Sequence, residues 1–162
     1  MMKKEISAEQ ARIKAETYCS RAEHCKSEVL AKLSQWGAPE ESWEGILQHL
    51  EKERYIDERR YAHAFVRDKY RFSQWGTTKI RHALRLKNIP SECYADAMEE
   101  IDSEEYLSAL TDLLCRKLRS VKAANDYERN GKLIRFAASH GYGMDDILRC
   151  LKQIGCDEVD MD

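Results

Sequence analysis

Between Arg59 and Lys87 the chain carries nine cationic side chains: Arg59, Arg60, Arg67, Lys69, Arg71, Lys79, Arg81, Arg85 and Lys87. Asp68 is the only acid among them. Such an array can neutralise phosphates by releasing counterions, or meet an acidic protein surface. Trp75, in the middle, can stack on a base, anchor a protein interface, or simply pack between helices. A second set follows at Arg116, Lys117, Arg119, Lys122, Arg129, Lys132 and Arg135. The plain alternative for any of these charges is a solvated helix face paired to local acids. Within 59–87 that alternative is short of acids, so Arg67, Lys69, Arg71, Trp75, Lys79, Arg81, Arg85 and Lys87, with Arg116, Arg119, Lys132 and Arg135, are the candidate contact residues for a partner or nucleic acid.

Covalent chemistry finds no comparable support. The chain has no glycine-rich phosphate loop, GxSxG, HExxH or DxDxDG pattern. Its five histidines are scattered, and its carboxylates sit on solvated faces such as Glu99-Glu100. Six cysteines (Cys19, Cys25, Cys93, Cys115, Cys150, Cys156) form no CxxC and no zinc-spaced cluster, and read as structural thiols. No enzyme activity, cofactor or metal is expected.

The elements that must position these residues are helical. Only two prolines and seven glycines occur in 162 residues, and charged residues make up 35%. That composition fits a globular protein with a highly charged surface rather than a disordered or membrane-spanning one. No apolar run has the length of a membrane span, no signal peptide is evident, and the cytoplasm is the expected location.

The net charge of -2 conceals alternating blocks. Residues 36–58 hold seven acids and two bases, and 92–105 seven acids and no base; 116–135 hold seven bases and two acids. This alternation follows an internal repeat. A shift of 51 residues lays Val29 on Ile80, Leu33 on Leu84, Ala38 on Ile89 and Pro39 on Pro90, and then Trp43, Leu47 and Leu50 on Tyr94, Met98 and Ile101. A further shift of 53 continues with Leu133, Ala137, Tyr142, Gly143, Ile147, Leu151 and Ile154. The expected fold is therefore all-α: three tandem three-helix repeats over 5–55, 56–106 and 107–156, with a flexible tail at 157–162. Units of that size bury little alone, so they should stack into an elongated, curved monomer.

Local signals place the helices. Ser7 and Gln10 are spaced as a capping box before a helix over 8–19. Further helices are expected over 27–35 and 39–52, with Pro39 in the first turn of the latter. Asp57 caps a helix to about Tyr70, a loop follows over 72–76, and the next helix starts at Thr77 or Thr78 and ends at Asn88 and Pro90. The third repeat begins with a long helix carrying Leu107, Leu110, Leu114, Leu118 and Val121. A linker is expected around 125–131, then helices over 132–139 and 144–154.

At this central stretch the sequence resembles the RecX family of recombination regulators. The family pattern, roughly Y-(I/L)-(D/N)-D-x-x-(Y/F)-A-x-x-(F/W)-(V/I), reads YIDERRYAHAFV here. It is followed by the loop RFSQWGTTKI and by IRHALRLKNI in place of I-x-x-x-L-x-x-K-G-I. The stretch RAEHCKSEVLAKL (21–33) is similar to the family's other hallmark. Three positions depart: Glu58 for an aspartate, Asn88 for the usual glycine and Cys25 for a common serine. Asn88 should take the left-handed conformation that the glycine would. The resemblance implies a fold of tandem three-helix repeats. It also implies a regulator that binds the RecA filament on single-stranded DNA and inhibits RecA's ATPase, strand-exchange and co-protease activities. The rival readings are a protein whose main ligand is DNA or RNA itself, and a helical scaffold for another partner.

Overall fold

The computed structural model describes residues 5–156. The expected tail at 157–162 lies outside them. The described residues are all-helical: α1 (Ala8–Arg21), α2 (Lys26–Trp36), a 3-10 turn (Glu40–Ser42), α3 (Trp43–Lys52), α4 (Glu58–Arg71), α5 (Thr77–Leu86), α6 (Ser91–Glu99), α7 (Ser103–Ser120), α8 (Asp126–Ser139) and α9 (Met144–Gln153).

The caps explain most boundaries. Gln10 N–H donates to Ser7 Oγ at 3.1 Å and Ser7 N–H to Gln10 Oε1 at 3.0 Å, closing the box at the start of α1. Asp57 Oδ1 accepts from Arg60 N–H at 3.1 Å and starts α4. Two expectations need correction. The linker placed around 125–131 is mostly helix, because Asn125 Oδ1 accepts from Glu128 N–H at 2.8 Å and α8 begins at Asp126. Pro39 does not enter α3; it precedes the 3-10 turn, with ψ at 128°, and α3 starts only at Trp43. Asp102 likewise caps Glu105 N–H at 2.9 Å, so α7 starts at Ser103.

The repeat is written most clearly where the second helix of each copy ends. Gly37, Asn88 and Gly141 stand at equivalent positions, with φ of 78°, 60° and 96°. After each, a buried residue turns its N–H back to a carbonyl one turn up: Ala38 to Leu33 (3.0 Å), Ile89 to Leu84 (3.1 Å) and Tyr142 to Ala137 (3.3 Å). This is the Schellman closure, which consumes carbonyls that the helix end would leave unpaired. The left-handed conformation expected for Asn88 is present. The apolar columns Val29/Ile80/Leu133 and Leu33/Leu84/Ala137 are fully buried.

The described residues fall into two compact units. Unit 1 takes the described residues up to Ala64 together with Leu84–Ala95; unit 2 takes Phe65–Ala83 and the described residues from Asp96 onward. In unit 1, α1, α2 and α3 pack against one another around Ala11, Ala15, Val29, Leu33, Ile46 and Leu50. In unit 2, α7, α8 and α9 do the same. Leu110, Leu114, Leu133, Ile147 and Leu151, with Val66 and Ile80, are among its fully buried aliphatics.

Candidate partner-binding surface

In unit 2 the C-terminal end of α4, the loop 72–76 and the start of α5 form one pinned structure. Gln74 takes a left-handed conformation (φ 54°), and the next N–H, of Trp75, reaches Lys69 O at 2.9 Å. Gln74 Nε2 donates to Asp112 Oδ2 (2.9 Å) and Ala109 O (3.2 Å), tying the loop to α7. Gly76 N–H donates to His140 O (2.7 Å) and Thr78 N–H to Gly141 O (3.2 Å), tying it to the α8–α9 turn. Thr77 N–H finds Tyr106 Oη at 3.0 Å. The first two N–H groups of α5, of Thr77 and Thr78, are thus used inside the protein.

Trp75 stands half-buried on this base. The ammoniums of Lys69 and Lys79 each lie 4.5 Å from its ring centroid, and Phe65 meets it edge-on at 6.3 Å. The indole quadrupole favours both cations and gathers charge from two helices beside one ring. Within the protein, this geometry packs Trp75 against Phe65 and places two cations at its ring. Arg71 is held by Glu105 (2.9 Å), which also accepts from Tyr70 Oη at 3.0 Å. Arg67 and Arg81 are exposed and form no ion pair among the described residues. His140 Nδ1 lies 3.3 Å from Gln74 O. Burial, with the positive charges of Lys79 and Arg116, holds its pKa below the usual histidine value against that hydrogen bond.

The other candidates divide. Arg116 pairs with Asp112 within α7 at 3.2 Å, and Arg119 is exposed. Lys132 pairs with Glu128 at 3.2 Å, while Arg135 is exposed on α8. In unit 1, Arg85 is exposed, but Lys87 reaches Glu28 at 3.1 Å. Glu28 also accepts from Cys25 N–H (3.2 Å) and contacts His24 Nδ1 (3.2 Å). Burial alone would raise the Glu28 carboxyl, but the bonds from Lys87, Cys25 and His24 outweigh it and hold the pKa below the ordinary value. Alongside, Glu58 Oε1 accepts from Lys26 N–H (3.2 Å) and Arg60 pairs with Glu23 (2.7 Å). The two hallmark stretches therefore interlock within unit 1 through their charged residues.

A test of this bracing is Lys87→Met. The pair is only partly shielded, with side chains 33% and 26% exposed, so its loss should destabilise the fold by about 1 kcal/mol. A depressed carboxylate stabilises the fold above its unfolded pKa, and that stability is lost as pH falls through the folded value. Urea unfolding from neutral to acid pH should therefore show the difference between variant and wild type shrinking at the acid end. An equal difference at every pH would rule the ion pair out as its source.

One residue escaped sequence reasoning. Phe72, between Arg71 and Ser73, is 79% exposed. It is an aromatic side chain in a cationic loop, a signal the sequence does contain. All six cysteines are free thiols, and burial pushes Cys19 up to about 11. Among the described residues no group of His, Cys, Asp and Glu is arranged to hold a metal, and no helix is long and apolar enough to cross a membrane.

Comparison with known proteins adds relatives. Residues 57–98 match the family description "RecX, second three-helix domain" and residues 104–151 "RecX, third three-helix domain". A regulatory protein RecX of Pseudomonas fluorescens is 36% identical over 86% of this chain and 88% of its own length. One of Clostridium botulinum is 31% identical over 79% of this chain, which spans only 60% of that relative. A crystal structure of a regulatory protein RecX superposes with a TM-score of 0.82 at 24% identity, covering 90% of this chain and 73% of the other. RecX from Lactobacillus salivarius gives 0.74 at 19% identity, over 91% and 96%. At those identities the two structures speak for the fold.

Proposed function

The chain belongs to the RecX family of regulatory proteins, and from that premise we propose that it binds RecA filaments on single-stranded DNA and inhibits RecA's ATPase, strand-exchange and co-protease activities. It acts as a monomer of three repeats (5–55, 56–106, 107–156) in the cytoplasm, by occupying or capping the filament and not by catalysis. Contact is made by the cations of the second and third repeats: Arg67, Lys69, Arg71, Lys79 and Arg81 around Trp75, then Arg116, Arg119, Lys132 and Arg135, with Arg85 and Lys87 at the end of α5.

The observation that carries this reading is the loop surface of unit 2. There Lys69 and Lys79 bracket Trp75, Arg67 and Arg81 stand exposed without an ion pair among the described residues, and Phe72 projects into solvent. An exposed aromatic among cations suits an acidic protein surface with an apolar recess.

The test is the single-stranded-DNA-dependent ATPase of RecA from the same host, titrated with this protein at physiological salt. Inhibition should be complete well below one molecule per RecA subunit if filament ends or growth are the target. A folded sample in saturating excess that leaves the ATPase untouched would overturn the proposal. Tight, steeply salt-dependent binding to naked DNA in that same sample would move the assignment to nucleic acid itself.

A further inference from the structure

Unit 2 carries a second cationic feature, formed by other residues than the Trp75 loop. An open cleft of about 430 Å³ lies between the C-terminal end of α7 and α8, lined by Lys117, Ser120, Lys122, Lys132, Arg135 and Phe136. No carboxylate among the described residues lines it. Lys132 pairs with Glu128 from outside the lining (3.2 Å) and donates to Lys122 O at 2.5 Å, which fixes its position. Lys117 Nζ sits 4.8 Å from the centroid of Phe136, whose ring packs against His140 at 4.7 Å.

Compensation of the α7 dipole accounts for Lys117 and Arg119, which lie in the last turn of that helix. It does not account for Lys122, Lys132 and Arg135, which come from beyond α7. Four cations converge with one external acid between them, and like charges so placed repel unless an anion is shared. Three lysines supply point charges and Arg135 a planar fork, a combination suited to phosphate oxygens. The volume falls within the range of about 300–1,000 Å³ usual for small-ligand sites.

We infer that this cleft binds a free oligophosphate: two or three directly linked phosphates of a small molecule such as a nucleoside triphosphate. The inference rests on reading Lys132 and Arg135 as contact residues, as above, but not on the filament being the partner. It adds Lys117 and Lys122 to them and names the chemistry they meet.

Calorimetric titration of the full chain with inorganic tripolyphosphate, ATP and an oligothymidylate tests it. Lys122→Glu/Arg135→Glu, both solvent-exposed and outside the buried core, should weaken binding of whichever ligand engages by at least about tenfold with helicity unchanged. If only the oligothymidylate binds, the cleft meets a nucleic-acid backbone and the inference is overturned. Binding of tripolyphosphate or ATP at one site is the expected result. No binding by any of the three, equal affinity in the variant, or equal competition by a polyglutamate peptide would each overturn the inference. Arg67→Glu/Arg81→Glu separates the two readings: it should raise the half-inhibiting concentration for the ATPase by about 100-fold yet leave oligophosphate binding intact.

Discussion

Gly76→Ala is expected to destabilise the fold by about 3 kcal/mol, near the top of the range for overpacking. A Cβ at Gly76 would lie 2.2 Å from Gly141 C, 2.2 Å from Gly141 O and 2.3 Å from Tyr142 N. These are backbone atoms, and no rotamer change can move them aside. The two stretches of chain are also bonded to each other, by Gly76 N–H to His140 O and Thr78 N–H to Gly141 O. Separating them to admit a methyl group would stretch both bonds. The partner cannot yield either, because Gly141 is held at φ 96° by the closure of α8, and a Cβ there would itself meet Lys79 Cβ at 2.5 Å. Urea unfolding followed by circular dichroism checks the prediction. A loss below about 1 kcal/mol would mean the two backbones are not in contact. Because the same turn sets Lys79 beside Trp75, any folded Gly76→Ala protein should also inhibit RecA less well.

Arg67→Glu/Arg81→Glu is expected to raise the concentration needed for half-inhibition of the RecA ATPase by about 100-fold. Each reversal at a contact with an acidic surface replaces an attraction by a repulsion, and at about 1.4 kcal/mol apiece two give a factor of 100. The effect should shrink at high salt, since exposed charges are screened beyond about 10 Å at 0.1 M. Stability should hardly change, because neither guanidinium forms an ion pair among the described residues. That separation distinguishes the pair from Arg71, whose loss removes an ion pair with Glu105, and from Lys87, whose loss removes one with Glu28. Unchanged inhibition in the folded double variant would remove the loop surface from the proposed function.

Much of the fold was legible because its signals are local. The Ser7–Gln10 box, the Asp57 cap and the left-handed Asn88 each depend on residues a few positions apart, and each appears where the spacing put it. The expected linker at 125–131 failed for a related reason. Gly131 and the polar run before it look like a break, but Asn125 supplies a cap and α8 continues through the glycine. A glycine costs a helix only about 1 kcal/mol, which packing can offset.

The candidate surface was less legible. By itself the sequence determined that a cationic stretch exists, that helices carry it, and that a tryptophan stands in its loop. Periodicity, caps and composition decide those things within a few residues of chain. Only the tertiary structure decided which cations are already committed. Arg60 meets Glu23 across 37 residues, Arg71 meets Glu105 across 34, and Lys87 meets Glu28 across 59. The stretch that looks short of acids in sequence borrows them from elsewhere in the chain. Which charges remain for a partner depends on which helices pack together, and a local pattern does not encode that.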